Sequence, residues 1–252
     1  MRGDGTITKE NNSDDAVKIW DAHTHLGKSK LWHGFPPSRR PEQLIGEMNK
    51  YGIEKAIIFA NPSNNKDFFK RNDELAAYAA RYPDRFIGFA RVDPHFKSET
   101  EKYLKHAFTE LGLKGIKLHP VVEKFDPCDE NFYYIYEIAE IYNVPILFHF
   151  EENLSIEGIP TRFPKLKIIL GHLKESSLIY LKNFSNVCVE TSGCSESTLL
   201  KAITIDENRV LFGSDYPSHK IAPEIKNIER IISENRIKEK VYRYNLIKLL
   251  GL

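Results

Sequence analysis

The sequence has 252 residues, of which 41% are hydrophobic and 28% are charged, and its formal net charge is +1. This length is sufficient for one large α/β domain with a substantial core. The near-zero charge gives no bulk electrostatic reason to expect nucleic acid or an acidic membrane as a partner. The sequence contains no run of eighteen apolar residues, so we expect no membrane span.

The N-terminal segment and the cysteines carry no sign of secretion. Residues 1–16 are polar and lack the apolar core of a secretory signal, so we expect a mobile tail ahead of one domain over residues 17–252. The three cysteines, Cys128, Cys188 and Cys194, include no CxxC pair. An odd number without such a pair predicts neither a disulfide framework nor a zinc ribbon. We therefore expect free thiols in a cytoplasmic protein.

Short apolar runs alternate with helical patterns from residue 18 onward. The runs are rich in Ile, Val and Phe, and several are nearly continuous, which is typical of strands covered on both faces of a parallel sheet. The predicted strands are 18–25, 54–60, 85–92, 113–120, 144–150, 166–172, 186–192 and 209–215.

The segments between these strands carry helix signals. Pro41 suits a first helical turn and Gly52 suits the position after a helix, while Ser98 and Glu101 form a candidate capping box. Segment 151–165 contains one glycine and two prolines, which leave room only for a short or broken helix. Further helices are predicted over 72–82, 129–143, 175–184, 195–205 and 222–234.

The alternation predicts an α/β fold, a single-domain (β/α)8 TIM barrel. Such a barrel typically needs roughly 250 residues, which this chain supplies. A doubly wound open sheet shares the alternation, but no GxGxxG segment follows the first strand. We therefore favour the barrel.

Polar residues concentrate where the predicted strands end. Five of the nine histidines lie there, and the two in strand 1 are spaced so that they share one face. One histidine at a strand end is usually an ordinary hydrogen-bonding residue, but the strand ends of a barrel meet at one mouth. Imidazole and carboxylate ligands suit Zn²⁺, Mn²⁺ or Fe²⁺. The pattern predicts a shared metal site at which His23, His25 and Asp215 approach one ion and His149 closes from the opposite side, with His119 and His172 at neighbouring strand ends.

These residues lie in segments that resemble a known family. DAHTHLG, GIKLHP, ILFHF, RFPKLKIILGHL, VCVETSG, RVLFGSDYP and YNLIKLLGL together resemble the amidohydrolase superfamily. The branch they resemble most is the amidohydrolase-2 type, which includes aminocarboxymuconate-semialdehyde decarboxylase. The resemblance covers nearly the whole chain. It implies one divalent metal ion, with Zn²⁺ as the first expectation and Mn²⁺ or Fe²⁺ as alternatives, bound by His23, His25, His149 and Asp215. It also implies that His172 and Asp215 handle protons.

Other polar residues are candidates for contacts with a substrate. Lys117 could be a carboxylated bridge to a second metal, a buried structural cation or the partner of a substrate carboxylate. We favour one metal, because His119 lies nearer the strand end and the resembling branch is usually mononuclear. His119 is then a candidate for a substrate contact, with anchoring of Pro120 as the alternative. Arg91 at a strand end suits a substrate carboxylate, with a surface ion pair as the alternative. Trp32 lies in a long loop after strand 1. Asp21 could accept from an imidazole or be a buried polar group.

The leading functional hypothesis is a metal-dependent hydrolase. It would use a metal-activated water to cleave an amide, lactone or other ester bond of a small organic substrate. The alternative is a metal-dependent non-oxidative decarboxylase of a small aromatic or muconate-like carboxylate, and a third hypothesis is a barrel that has lost catalysis. No GxSxG segment supports a serine hydrolase. We expect a small-molecule partner, no nucleic acid and no membrane, and a homodimer stays open.

Overall fold

The computed structural model describes residues 17–28, 38–61 and 67–252. The predicted N-terminal tail over 1–16 and Trp32 lie outside the described residues.

Parallel strands form most of a ring whose order follows the chain. One ladder runs β1–β3–β4 and another runs β5–β6–β7–β8–β9–β10, and every pairing in them is parallel. β4 and β5 are two parts of one strand, interrupted at Phe89, whose N–H donates to the carbonyl of Ile58 (3.0 Å). The strands are β1 (Ile19–Lys28), β2 (Ser38–Arg39), β3 (Ile53–Ala60), β4 (Phe86–Gly88), β5 (Ala90–Arg91), β6 (Ile116–Leu118), β7 (Ile146–Phe148), β8 (Ile168–Leu170), β9 (Val187–Glu190) and β10 (Val210–Leu211).

Hydrogen bonds between the last strand and the first complete the ring. The N–H of Ala22 donates to the carbonyl of Phe212 (2.8 Å), and the N–H of His25 donates to the carbonyl of Tyr216 (2.7 Å). Thr24 and Tyr216 also form a parallel bridge. Only the short β2 is antiparallel among the described strand pairs, and it pairs with the end of β1. The predicted (β/α)8 barrel is therefore confirmed.

Helices occupy the predicted gaps between strands. Segment 151–165 holds only a four-residue helix, as its glycine and prolines predict. The capping box is wrong: α3 begins at Lys97, and the preceding Phe96 makes no side-chain cap. The helices are α1 (Pro41–Lys50), α2 (Phe68–Arg81), α3 (Lys97–Thr109), α4 (Pro120–Glu123), α5 (Tyr133–Ile141), α6 (Ile159–Arg162), α7 (Leu178–Asn183), α8 (Glu196–Asp206), α9 (Ile221–Ile231), α10 (Asn235–Glu239) and α11 (Asn245–Leu250), with a π-helical turn over Lys240–Tyr244.

The core has two separate apolar layers. The larger layer lies between the strands and the surrounding helices, and the smaller one fills the inside of the barrel, as the alternation of side chains along a strand requires. Leu246 of α11 belongs to the inner layer, so the C-terminal helix packs against the barrel interior. The inner layer consists of Trp20, Ala22, Ile57, Phe59, Ile87, Phe89, Leu147, Ile169, Cys188, Leu211 and Leu246.

Two expectations from composition can be compared with the structure. Cys128, Cys188 and Cys194 all lie in the described part of the chain and are free thiols, as predicted. Within the same ranges, no helix combines the length and the apolar character needed to cross a membrane.

Candidate metal centre and active site

Buried polar side chains concentrate at the carboxyl ends of the strands. Each of the following is no more than 7% exposed, so any charge they carry interacts in a medium of low dielectric constant. This set contains most of the residues that the sequence predicts for the site, together with one that it does not. The buried residues are Asp21, His23, His25, Arg91, Lys117, His119, His172, Glu190 and Asp215.

Three of the four predicted metal ligands lie together. The Nε2 atoms of His23 and His25 lie 3.3 Å and 3.2 Å from Oδ1 of Asp215. Ligand atoms of these three residues all lie within 4.8 Å of one another. The two histidines come from one strand, and Asp215 follows the strand that closes the ring against it. This cluster has the donor set and spacing to hold a divalent metal ion.

The protonation states of the cluster suit a cation. Burial lowers the pKa of both His23 and His25, which keeps the imidazoles neutral, the form that binds metals. Burial alone would raise the pKa of Asp215, but the neighbouring His23 and His25 hold it below its usual value. A carboxylate with two neutral imidazoles fits Zn²⁺, Mn²⁺ or Fe²⁺.

His149, the fourth predicted ligand, lies beside His172 and outside this three-residue cluster. Its Nδ1 lies 2.9 Å from Nε2 of His172, and its Nε2 lies 2.8 Å from Oε1 of Glu151. The ring of His119 stacks on it, with centroids 3.7 Å apart and an interplanar angle of 11°. The structure thus joins His149 to the predicted proton-transferring residue, while its role as a ligand stays a prediction.

The two predicted catalytic residues share an uncommon backbone conformation. His172 has φ +64° and Asp215 has φ +51°, both in the left-handed region. Non-glycine residues adopt this region infrequently, and such strain concentrates at active sites. The rings of His172 and His23 lie 4.9 Å apart, centroid to centroid. Both turns therefore place their side chains beside the ring of His23.

Glu190, which the sequence reading does not single out, is the most connected carboxylate of the site. Its Oε1 lies 2.6 Å from Nδ1 of His23 and accepts from the N–H of His172 (2.7 Å) and from Oγ of Ser192 (2.8 Å). Its Oε2 accepts from the N–H of Ser192 (2.8 Å). The signal in the sequence is a charged residue at the end of an otherwise apolar strand, on the side of the barrel that carries the histidines.

Asp21 contacts backbone and no imidazole. Its Oδ1 accepts from the N–H groups of His23 and Ser214, each at 3.0 Å, and so ties the first strand to the last. Burial raises the pKa of Asp21 to about 7. Of the two alternatives that the sequence left open, the buried polar group is the one observed, since Glu190 is the acceptor for the imidazole of His23.

Lys117 is a buried cation at the centre of the site. Its Nζ lies 3.4 Å from Nε2 of His23 and 4.7 Å from the ring centroid of Phe59. No salt bridge within the described ranges includes it. Burial, together with the nearby Arg91, lowers the pKa of Lys117 to about 7. The amino group thus lies beside the His23, His25 and Asp215 cluster and has no paired carboxylate among the described residues.

Arg91 is buried and paired, which rules out the surface ion pair considered from the sequence. Its Nη2 and Nε donate to Oε1 of Glu123 at 2.6 Å and 3.0 Å. The other oxygen of Glu123 accepts from the N–H of His119 (2.6 Å). Nδ1 of His119 is buried and has no hydrogen-bond partner among the described residues. Arg91 thus supports the wall of the site, and its contact with a substrate stays a prediction.

A ring of parallel strands with two histidines and an aspartate clustered at its carboxyl ends is typical of metal-binding barrel enzymes. The chain belongs to the amidohydrolase family, whose model, described as "Amidohydrolase", matches residues 20–252. A curated relative, 2-amino-3-carboxymuconate-6-semialdehyde decarboxylase from Dictyostelium discoideum, is 23% identical over 130 residues. The match covers 48% of this chain and only 36% of the relative.

Solved structures with a similar fold include two decarboxylases. One is 5-carboxyvanillate decarboxylase from Novosphingobium aromaticivorans, complexed with manganese and 4-hydroxy-3-methoxy-5-nitrobenzoic acid. Its TM-score is 0.80 at 20% identity, covering 94% of this chain and 96% of that chain. The other is dihydroxybenzoic acid decarboxylase from Polaromonas sp. JS666, with bound manganese and 2-nitroresorcinol. Its TM-score is 0.77 at 19% identity, covering 94% of this chain and 98% of that chain. At these identities the likeness establishes the fold.

Proposed function

We propose that this protein is a metal-dependent non-oxidative decarboxylase of a small aromatic or muconate-like carboxylate. The observation that carries the proposal is the buried amino group of Lys117, 3.4 Å from Nε2 of His23, whose ammonium form has no paired carboxylate in the described residues. A substrate carboxylate would supply that missing partner. The decarboxylases among the similar proteins support this chemistry over hydrolysis, which the sequence alone favoured.

A divalent metal ion would be held by His23, His25 and Asp215, with His149 as the predicted fourth ligand. When bound, such an ion supplies positive charge that orients an anionic substrate and stabilises charge developing on its oxygens. Zn²⁺ is the expectation from the ligand set, and the two similar decarboxylases carry manganese. A second metal bridged by carboxylated Lys117 is the less favoured arrangement.

The side chains around this position divide the work of decarboxylation. Lys117 would bind the substrate carboxylate, with His119 and Arg91 as further predicted contacts. As the bond to the carboxyl carbon breaks, CO₂ leaves and the substrate carbon takes up one proton. His172 and Asp215, which border the cluster, are the groups we assign to take that proton from water and pass it to the substrate carbon.

Metal content and product analysis test the proposal together. The protein is purified after growth with Mn²⁺ or Zn²⁺ and incubated with 2,6-dihydroxybenzoate, 5-carboxyvanillate and 2-amino-3-carboxymuconate 6-semialdehyde, and released CO₂ is measured. A parallel panel of lactones, esters and amides in ¹⁸O-water measures hydrolysis. We expect about one metal ion per chain and CO₂ release that a chelator abolishes.

A pair of variants ties the activity to the site. His25→Ala removes one ligand of the cluster and should lose most of the metal and the CO₂ release. His95→Ala removes a loop histidine whose side chain is 45% exposed, and both properties should remain. Absence of retained metal in the unsubstituted protein, or ¹⁸O incorporation without CO₂ release, would contradict the proposal.

A further inference from the structure

We propose that Glu190 is a positioning residue that fixes the protons on both His23 and His172. One buried carboxylate would thereby prepare a metal ligand and the proton-transferring residue together. The inference rests on the proposed metal-dependent function and assigns a role to a residue that neither the comparisons nor the family resemblance identifies.

The contact with His23 determines which ring nitrogen faces the metal position. A carboxylate only accepts hydrogen bonds, so the 2.6 Å contact with Oε1 of Glu190 places the proton of His23 on Nδ1. Nε2 then carries a lone pair, 3.3 Å from Oδ1 of Asp215. Nζ of Lys117 also lies near this nitrogen, at 3.4 Å. Glu190 thus prepares Nε2 of His23 as a ligand, as carboxylates do for many metal-binding histidines.

The contact with His172 passes through Ser192. The hydroxyl of Ser192 donates its single hydrogen to Oε1 of Glu190 (2.8 Å). Nδ1 of His172 lies 3.0 Å from the same Oγ, so this nitrogen must donate and carries the ring proton. Nε2 of His172 is left as the acceptor nitrogen of the ring, and Nδ1 of His149 lies 2.9 Å from it.

Glu190 also holds the backbone of His172. Its Oε1 accepts from the N–H of that residue at 2.7 Å, where φ is +64°. Hydrogen bonds of this kind keep an uncommon backbone conformation in place. The same carboxylate therefore orients both the main chain and the ring of His172.

Two glycines provide the room that this carboxylate needs. A Cβ atom at Gly213 would overlap Oε2 of Glu190, and one at Gly171 would lie 2.8 Å from the carbonyl oxygen of Phe148 and 3.2 Å from Oε1 of Glu190. These glycines belong to the FGSD and GHL segments, next to the residues that lead to Asp215 and His172. Glu190 thus occupies the place of a side chain at Gly213, whereas a side chain at Gly171 would meet the carbonyl of Phe148 first and Glu190 second.

The first test reads the protons directly. Long-range ¹H–¹⁵N spectra of the metal-free protein report which nitrogen of each imidazole is protonated. We expect a protonated Nδ1 on His23 and on His172 in the unsubstituted protein. An Nε2 proton on either ring would overturn the assignment, whether or not a substrate has been found.

Glu190→Gln tests whether the carboxylate is the cause. We expect the metal dissociation constant, measured against a competing chelator, to rise by roughly 10- to 100-fold, and the His23 and His172 signals to shift together. Glu123→Gln is the matched control, because it neutralises another buried carboxylate that contacts Arg91 and no imidazole ring. It should leave metal affinity and the His23 signal unchanged. Unchanged affinity and signals in Glu190→Gln would overturn the proposal.

Ser192→Ala separates the two functions of Glu190. It should leave metal affinity and the His23 tautomer intact, because Oε1 still accepts from that ring. The His172 signal should shift, and the pH profile of CO₂ release should change. Equal loss of metal in Ser192→Ala and Glu190→Gln would indicate a merely structural role. Metal binding with these tautomers but without CO₂ release would contradict the decarboxylase proposal and leave the role of Glu190 supported.

Discussion

The two ends of the barrel interior use the same strands for opposite purposes. The inner apolar layer, which includes Ile57, Leu147 and Leu246, removes hydrocarbon from water and stabilises the fold. At the carboxyl ends, the buried side chains are charged or polar, and burying them opposes folding unless they are paired. Phe59 lies at the boundary, since it belongs to the apolar layer and its ring lies 5.1 Å from that of His23, centroid to centroid.

The contrast between the two ends indicates that the residues that stabilise the fold and the residues of the candidate site occupy different positions along the strand axis. His172 and Asp215, whose φ values lie in the left-handed region, are both at the carboxyl end, next to the cluster. Substitutions there should change metal binding or turnover with little effect on folding. Substitutions in the apolar layer should do the reverse. Each prediction below tests that separation.

The largest expected effect is the loss of turnover in His172→Asn. This change removes the ring that we assign to proton transfer, and CO₂ release should fall by about 10²- to 10⁴-fold. Metal content and the thermal midpoint should stay near those of the unsubstituted protein. His106→Asn, on the exposed side of α3, is the control and should retain activity. Full activity in His172→Asn would remove its assigned role, and unfolding would break the separation of stability from chemistry.

The next effect is a loss of stability in Leu246→Ala. Leu246 is 1% exposed and packs in the inner apolar layer, so its truncation leaves a cavity. The free energy of unfolding should fall by about 2–5 kcal/mol, as measured by denaturant titration, while metal affinity of the folded protein is retained. Leu200→Ala is the control, because that side chain is 56% exposed. Weakened metal binding in folded Leu246→Ala would show that the two ends are coupled.

The fold and most of the cluster follow from sequence because they depend on repeating local patterns. Apolar runs at regular intervals mark buried parallel strands, and parallel strands in a barrel bring their carboxyl ends together. That reasoning places His23, His25 and Asp215 in one region without any knowledge of distances. The same reasoning limits segment 151–165 to a short helix, because proline and glycine act locally.

Contacts between individual side chains could not be predicted from these local sequence patterns. Glu190 and Asp21 are both carboxylates on strands, and only the register of three strands decides that Glu190 meets the ring of His23 while Asp21 meets backbone. The pairing of Arg91 with Glu123 likewise depends on where α4 packs. The choice between hydrolysis and decarboxylation depends on the side chains that meet the substrate, many of which lie on loops that vary within one fold.

The smallest effect concerns the rim of the barrel, where solvent weakens electrostatic interactions. Nδ1 of His219 lies 3.3 Å from Oε1 of Glu224, and this hydrogen bond raises the pKa of His219, with Asp215 and Glu190 adding to the effect. Because the folded-state pKa is raised, the stabilisation is fully present below the unfolded value of about 6.5 and is lost as pH rises through the folded value. Glu224→Gln should lower the pKa of His219, as measured by NMR titration.

Glu196→Gln provides the control for that titration. It removes a negative charge from α8 whose partner is Arg230, so the pKa of His219 should not move. The side chain of His219 is 41% exposed, and screening should therefore keep the change in stability far below that of Leu246→Ala. A change as large as that of Leu246→Ala would mean that the rim contributes to folding as strongly as the apolar layer does, and the separation along the strand axis would fail.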